Sequence, residues 1–210
     1  MNSNFGSVQR ITHGPKYHWF GYYDKLQFDS QGRFVLGMEV DFQHRSPLPE
    51  DTIGVGMVDL ADNNRWIDLA ETRAWCWQQG CMLQWRPGSD SEILWNDREG
   101  DTFVCRILDV VTREIRTIPQ AVYSVSPDGR YGISPDFRRI NDTRHGYGYA
   151  GPVDPYRNEL MPEKSGVHKV DLGTGEITYL FSIKDIVQIL GAAPPPDSAK
   201  HYINHLLFIQ

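Results

Sequence analysis

Short hydrophobic runs alternate with tight polar turns along the whole chain. One recurring segment has the pattern of a strand, a polar turn and a second strand, and it occupies residues 26–36, 83–94 and 123–133. In the third copy the turn is Ser-Pro-Asp-Gly at 126–129. Proline presets φ, aspartate bonds the turn backbone and glycine adopts positive φ, so these residues favour a tight turn. The pattern therefore predicts β-hairpins rather than long helices.

A second type of hairpin also recurs, and in each copy an aspartate stands at the end of its first strand. The three copies cover residues 56–69, 104–118 and 168–180. Their aspartates are Asp59, Asp109 and Asp171. The repeat length of roughly 50–60 residues is typical of propeller blades.

Each pair of hairpins makes a unit of four antiparallel strands, which is the blade of a β-propeller. The sequence therefore predicts an all-β fold with one propeller domain over residues 1–210. We predict blades at about 20–70, 78–119 and 121–181, and the first strand of a fourth blade at 201–210. Because propellers close with about 4–8 blades, we expect this to be part of a longer propeller. An irregular β-sandwich is the alternative, but a sandwich does not require the same aspartate-containing hairpin three times.

One helix is predicted after the third blade. Ser182 and Asp185 have the spacing of a capping box, with aspartate in place of the usual glutamate. The apolar stripe that follows consists of Ile183, Ile186, Val187 and Leu190. Gly191 and the prolines at 194–196 should end the helix. We expect it to cover the edge of a blade.

The charge balance excludes some classes of partner. Lysine and arginine number 21 and aspartate and glutamate 27, which gives a net charge of −6. Nucleic acids and anionic membranes both select basic surfaces, so we expect neither as a partner. No apolar run is long enough to span a bilayer.

The sequence predicts a cytoplasmic protein. Residues 1–16 lack the apolar core of a signal peptide. The sparse, odd set of Cys76, Cys81 and Cys105 contains no metal-type pair and fits a reducing compartment. A start further upstream that added a signal peptide would instead place the protein in the periplasm.

Candidate binding residues are concentrated in particular loops. In a propeller, the loops that lead into the innermost strands share one face with the loops between the second and third strands, and function usually lies on such loops. Here these loops combine aromatic rings with hydrogen-bonding groups. That combination suits a carbohydrate, whose C–H faces stack on rings while its hydroxyls need polar partners. The candidates are Trp19, Tyr22, Tyr23, Asp24, Arg45, Trp77, Gln78, Gln79, Arg98, Tyr147 and Tyr149.

Arginines in the same loops favour an acidic oligosaccharide, because a guanidinium binds a carboxylate through two parallel hydrogen bonds. Structural roles are the alternatives for several of these candidates. Trp77 can pack between blades, and Gln78 and Gln79 can satisfy backbone amides at a strand end. The glycines at 145–151 do not begin a helix, so they do not indicate a nucleotide site.

Three histidines are expected at the channel mouth. Together with Gln79, the residues His18, His201 and His205 form a candidate set for Mn²⁺ or another divalent metal. On a straight strand, residues four apart lie about 13 Å from each other, so His201 and His205 would need a bend to share one ion. Structural hydrogen bonding is the alternative role for each of them.

Motifs along nearly the whole chain resemble those of a known family. Residues 18–24, 75–85, 126–129, 145–151 and 201–208 resemble bacterial propeller proteins related to oligogalacturonate lyase. The resemblance implies a seven-bladed propeller, of which this chain would supply the first three to four blades. It also implies cleavage of acidic oligosaccharides by β-elimination, with a manganese ion held by histidines and a glutamine.

In that interpretation His18 or His145 is the catalytic base, and Arg138 or Arg144 binds the substrate carboxylate. The metal set named above comes from the expected geometry and is not inherited from the family's ligand motif. A propeller that binds a glycan or a protein without catalysis is the rival hypothesis, because propellers host many unrelated functions.

A third hypothesis is a hydrolase with paired carboxylates. Its candidate residues are Asp24, Asp97 and Asp136.

Overall fold

The computed structural model describes residues 7–189 and 199–208. Three four-stranded antiparallel sheets follow one another along the chain, and the described residues contain two short helices. The all-β prediction is therefore confirmed. None of the helices in the described residues is long and apolar enough to cross a membrane.

Each sheet is a meander whose strands pair in chain order. The first sheet contains β1 (Tyr17–Trp19), β2 (Phe34–Val40), β3 (Ile53–Asp59) and β4 (Arg65–Thr72). The second contains β5 (Gln84–Trp85), β6 (Glu92–Glu99), β7 (Thr102–Asp109) and β8 (Ile115–Ile118). The third contains β9 (Ser124–Val125), β10 (Tyr131–Ser134), β11 (Gly166–Asp171) and β12 (Ile177–Ser182). These spans lie close to the predicted blades.

The innermost strand of the first blade is interrupted. β1 pairs with the far end of β2, where His18 lies opposite Glu39, and the chain returns to β2 only at an isolated bridge between Phe28 and Val35. Residues 20–26 leave the sheet between these two points. The predicted hairpin at 26–36 is present in shortened form, since Phe28 bridges Val35 and the Leu36 N–H donates to the Gln27 carbonyl at 3.0 Å. The prediction of a loop at His18 is wrong, because His18 lies in β1 and pairs with Glu39 of β2.

A short helix lies within the long connection between β10 and β11. α1 (Phe137–Thr143) begins after Asp136, whose side chain accepts a hydrogen bond from the backbone N–H of Arg138. Phe137 and Ile140 are buried. The signal was present in the sequence, because an aspartate followed by apolar residues at helical spacing is a helix start.

The predicted helix after the third blade is α2 (Ile183–Ile189). Its capping box is formed, since Ser182 Oγ accepts from the backbone N–H of Asp185 at 2.9 Å and Asp185 Oδ2 accepts from the Ser182 N–H at 2.8 Å. Leu190, Gly191 and the prolines at 194–196, on which the predicted end depended, lie outside the described residues.

The last described segment, residues 199–208, contains no strand. The predicted first strand of a fourth blade at 201–210 is therefore not formed over 201–208, because no neighbouring strand pairs with it among the described residues; 209 and 210 lie outside them. The segment is held at its start instead, where the His201 carbonyl accepts from Arg139 Nε at 2.9 Å.

The cores lie between adjacent blades. One core packs Met38 and Ile53 of the first blade against Trp75 and Trp95 of the second. Between the second and third blades, Asn96 is fully buried and all its polar groups are paired. Its Nδ2 donates to the Val122 carbonyl and to Tyr149 Oη, both at 2.8 Å, and its Oδ1 accepts from the Val122 N–H at 2.7 Å. Adjacent blades are separate sheets, so the Asn96 side-chain amide supplies hydrogen bonds between them.

The repeated aspartates cap the turns of the outer hairpins. Asp109 Oδ1 accepts from the backbone N–H groups of Val111 and Thr112 at 2.8 and 2.9 Å. Asp171 Oδ1 bonds Gly173 and Thr174 in the same way. Asp59 bonds the Ala61 N–H at 3.0 Å. The hairpin recurs in sequence because each copy uses this local turn.

The pKa of each of these carboxyls is lowered in the folded protein. The principal cause is the Arg33 guanidinium at Asp59, the Ser91 hydroxyl at Asp109 and the backbone N–H of Thr174 at Asp171. A group with a lowered folded pKa stabilises the fold above its unfolded pKa, and this stabilisation is lost as the pH falls through the folded value.

We therefore expect the melting temperature to fall as the pH is lowered below about 4, where free aspartate is protonated. In the triple variant Asp59→Asn, Asp109→Asn and Asp171→Asn, this fall should be smaller, because asparagine keeps the turn bonds but does not titrate. Asp90→Asn is the matched control, since Asp90 is exposed and accepts no hydrogen bond from the described residues. Calorimetry across this pH range tests the prediction, and an unchanged acid dependence in the triple variant would contradict it.

Candidate functional site

Polar and aromatic side chains converge beside the innermost strands of the three blades. The loop at 20–26 of the first blade, the β4–β5 connection, the start of β9 and the segment 199–208 all contribute. We define the channel cluster as Tyr22, Asp24, Lys25, Gln79, Tyr123 and His205. Because innermost strands line the axis of a propeller, this cluster lies at the channel.

The Tyr123 hydroxyl is the centre of the channel cluster. It accepts hydrogen bonds from Gln79 Nε2 at 2.8 Å and from the His205 backbone N–H at 3.3 Å. Gln79 is fully buried on a tight turn closed by two backbone hydrogen bonds between Cys76 and Gly80. Gly21 permits the close approach of the first blade, since a Cβ there would lie 2.7 Å from the Gln79 carbonyl oxygen.

Aromatic rings surround this polar centre. The rings of Tyr22 and His205 are stacked, with centroids 6.1 Å apart and planes at 9°. Tyr23, which is exposed, packs on Tyr22 at 4.6 Å, and Tyr147 meets the edge of His205 at 6.5 Å. Arg144 lies over the Tyr147 ring at 3.7 Å. The cluster therefore offers both ring faces and hydrogen-bonding groups.

Burial sets the protonation states within the cluster. The Lys25 side chain is 1% exposed and its Nζ lies 3.0 Å from Asp24 Oδ2. Burial lowers the pKa of Lys25, against the opposing effect of Asp24. Burial also raises the pKa values of Tyr22 and Tyr123. At neutral pH both phenols are therefore protonated and can donate hydrogen bonds.

Two acceptors in the cluster are left without donors. Asp24 Oδ1 and Gln79 Oε1 are buried, and neither has a hydrogen-bond partner among the described residues. Buried polar atoms are nearly always paired, so unpaired ones indicate a place for a polar ligand or water. Water or a ligand hydroxyl that reached these atoms would donate to them.

The tryptophan candidates belong to a separate packing cluster. The ring of Trp19 lies 5.8 Å from that of Trp75 and 5.4 Å from that of Trp77. Trp77 Nε1 donates to the Arg45 carbonyl at 2.7 Å. These contacts join the first two blades. Gln78 is exposed, unlike its neighbour Gln79.

The arginine candidates lie in different places. Arg45 forms an ion pair with Asp51 and lies over the Phe42 ring at 3.5 Å. Arg98 Nη2 donates to the Pro49 carbonyl at 2.7 Å, which joins two loops of the same face. Arg138 pairs with Asp136, outside the channel cluster. Of the arginine candidates, Arg144 lies nearest to the cluster, through Tyr147.

The histidines are similarly dispersed. His18 Nε2 lies 3.4 Å from Glu39 Oε2, and its ring meets the edge of Trp66 at 4.8 Å, within the first blade. His145 is exposed, and His201 is half-buried. The structure therefore brings together Gln79 and His205 of the predicted metal set, through Tyr123, but places His18 elsewhere.

The described residues contain no group of three or more His, Cys, Asp or Glu side chains arranged to hold a metal ion. They therefore do not fit a site with several histidine ligands. No part of the chemistry below depends on a metal.

Lys25 and Tyr123 are not among the residues predicted from sequence. No local signal marks Lys25, because a lysine in a loop is usually solvated. The hydrolase hypothesis required the carboxylates of Asp24, Asp97 and Asp136 to act in pairs. Each forms a separate ion pair instead: Asp24 with Lys25, Asp97 with Arg106 and Asp136 with Arg138.

Known structures share this fold. The oligogalacturonate lyase of Vibrio parahaemolyticus matches with a TM-score of 0.53 and 14% sequence identity, over 83% of this chain and 43% of the lyase. TolB of Acinetobacter baumannii matches with a TM-score of 0.47 and 10% identity, over 81% of this chain and 33% of that protein. A putative TolB of Agrobacterium tumefaciens has a TM-score of 0.44 and 14% identity, over 82% and 52% of the two chains.

No protein-family model matches the chain, and no curated protein matches it either. At these identities the structural matches show the fold alone. The three sheets and the match to the lyase confirm the β-propeller prediction. The chain spans less than half the length of the lyase that it matches.

Loss of the Tyr123 hydroxyl should destabilise the protein, because Gln79 Nε2 would then be buried without an acceptor. We expect Tyr123→Phe to lower the free energy of unfolding by about 1–3 kcal/mol. Tyr131→Phe is the control, since the Tyr131 hydroxyl forms no hydrogen bond with the described residues. Denaturant unfolding of both variants tests this, and equal stabilities would show that the Tyr123 hydroxyl is not needed.

Proposed function

We propose that this propeller binds an acidic oligosaccharide at the channel cluster. The observation that carries the proposal is the pair of unpaired acceptors, Asp24 Oδ1 and Gln79 Oε1, beside the stacked rings of Tyr22 and His205. Sugar hydroxyls would donate to the acceptors while a sugar face packs on the rings. Arg144, over Tyr147, is the candidate partner for a carboxylate.

In its finer form the proposal is a lyase that acts by β-elimination, which the fold shared with oligogalacturonate lyase supports as an analogy. A base takes the proton next to the uronate carboxyl, a carbon–carbon double bond forms, and the glycosidic carbon–oxygen bond breaks. We assign the base to His205, because it is exposed within the cluster and histidine is the commonest general base near neutral pH. The protonated phenols of Tyr22 or Tyr123 would supply the proton that the leaving oxygen needs.

His18 and His145, the bases expected from sequence, lie outside the channel cluster, so this assignment departs from that expectation. A non-catalytic propeller that binds a glycan or a protein is the second candidate. It is favoured by the dispersed histidines, since His18 lies beside Glu39 within the first blade and away from the channel cluster. Mn²⁺ and a chelator are included as arms of the test.

The lyase is tested by ultraviolet absorbance of the unsaturated product, with a panel of oligogalacturonides and with added Mn²⁺ or a chelator. We expect absorbance to rise with the wild type. With His205→Ala the rate of this rise should be at least ~100-fold lower, which is the typical loss for a general base. His145→Ala is the matched control, because both side chains are exposed. Calorimetric titration of the same ligands should show unchanged binding in His145→Ala. In His205→Ala binding should remain saturable but weaker, because one of the two stacked rings is lost.

The outcomes separate the two candidates. Saturable binding without any absorbance change, weakened by Tyr22→Leu, would support the binding propeller and exclude the lyase. Absorbance that is equally high in His205→Ala would exclude His205 as the base. Neither binding nor absorbance from folded protein would contradict the proposed function.

A further inference from the structure

A concave site lies between the second and third blades, on the face that carries the loops of the channel cluster. It is a cavity of about 290 Å³, close to the lower end of the volume of small-molecule sites. The polar residues that line it include Asp101, Thr102, Arg138, Tyr156, Lys164 and His168. No residue of the channel cluster lines this cavity.

An aromatic wall separates the cavity from the other buried aromatic groups of this face. Phe103 and Phe137 line the cavity and are buried. Behind them, Tyr149 stacks on Phe137 at 4.4 Å and meets the edge of Phe103 at 5.2 Å. Tyr123 packs on Phe137 at 6.2 Å and belongs to the channel cluster. A ligand in the cavity would therefore not touch the channel cluster directly.

Two cations in the cavity keep hydrogen-bonding capacity. Arg138 donates from Nε and Nη2 to Asp136, at 3.0 and 2.9 Å, which leaves Nη1 without a partner among the described residues. Lys164 is exposed and forms no ion pair within the described part of the chain, because its neighbour Glu163 pairs with Lys184 instead. These two groups together suit one carboxylate.

The remaining polar groups suit hydroxyls. Asp136 is already compensated by Arg138, while Asp101 and Thr102 on the β6–β7 turn offer an acceptor and a hydroxyl. His168 is half-buried against Tyr179, with ring centroids 4.9 Å apart. Its pKa is lowered by burial, so the imidazole is neutral at neutral pH and adds a hydrogen-bonding group without adding charge.

We propose that this cavity binds a small hydroxycarboxylate of about six carbons, with its carboxylate between Arg138 and Lys164 and its hydroxyls toward Asp101, Thr102 and His168. The site is independent of the proposed function of the channel cluster, since the two share no residue.

Calorimetric titration with D-gluconate tests the site, with D-sorbitol as the matched neutral ligand that has the same carbon chain and an alcohol in place of the carboxylate. We expect saturable binding of gluconate and none of sorbitol. Lys164→Gln should weaken gluconate binding about tenfold, the usual effect of losing a hydrogen bond to a charged group. Arg138→Gln should have a similar effect.

Lys200→Gln is the matched control, because Lys200 pairs with Asp142 and neither residue lines the cavity. Gluconate affinity should be unchanged in Lys200→Gln and in Tyr22→Leu of the channel cluster. Equal affinity for sorbitol, or unchanged gluconate affinity in both Lys164→Gln and Arg138→Gln, would overturn the proposal. Failure of gluconate to bind at millimolar concentrations would overturn it as well. Oligogalacturonide binding in the Lys164→Gln variant reports separately on the channel cluster.

Discussion

The arrangement of the loop-bearing face depends on one buried guanidinium. The side chains of Arg139 and Asp154 are 1% and 0% exposed, and Arg139 Nη1 lies 3.1 Å from Asp154 Oδ2. Removing such a pair from water costs several kcal/mol per ion unless every N–H finds an acceptor. The other acceptors are the backbone carbonyls of Tyr156, Glu159, Leu160 and His201. The connection between β10 and β11 and the segment 199–208 therefore adopt conformations that place their carbonyl groups around the Arg139 side chain.

Both candidate sites depend on this arrangement. Tyr156 accepts from Arg139 with its carbonyl and lines the cavity between the blades. His201 accepts from the same guanidinium, and four residues later His205 reaches the channel cluster, where its N–H donates to Tyr123. A buried ion pair is weak evidence for net stability. Here, however, the acceptors around Arg139 come from the connection between β10 and β11 and from His201, so the guanidinium links these two parts of the chain.

The repeat could be predicted from sequence because its signals are local. Asp59, Asp109 and Asp171 cap turns within two or three residues of themselves, so each hairpin is encoded in one short stretch. The interrupted first strand could not be predicted in this way. Its residues pair with β2 about twenty positions later, and Gly21 leaves the sheet because it must pass close to Gln79 of the next blade.

The channel cluster shows the same division between local and distant causes. Aromatic and polar residues at the starts of the inner strands could be recognised from sequence, and Tyr22, Asp24, Gln79 and His205 do meet there. The burial of the Lys25 side chain could not be predicted, because a lysine in a polar loop is usually solvated. In the fold Lys25 is buried beside Tyr123 of the third blade, whose ring centroid lies 5.2 Å from Nζ. The electrostatic character of the site is therefore a property of the closed blade contacts, and it arises only when the inner strands are brought side by side.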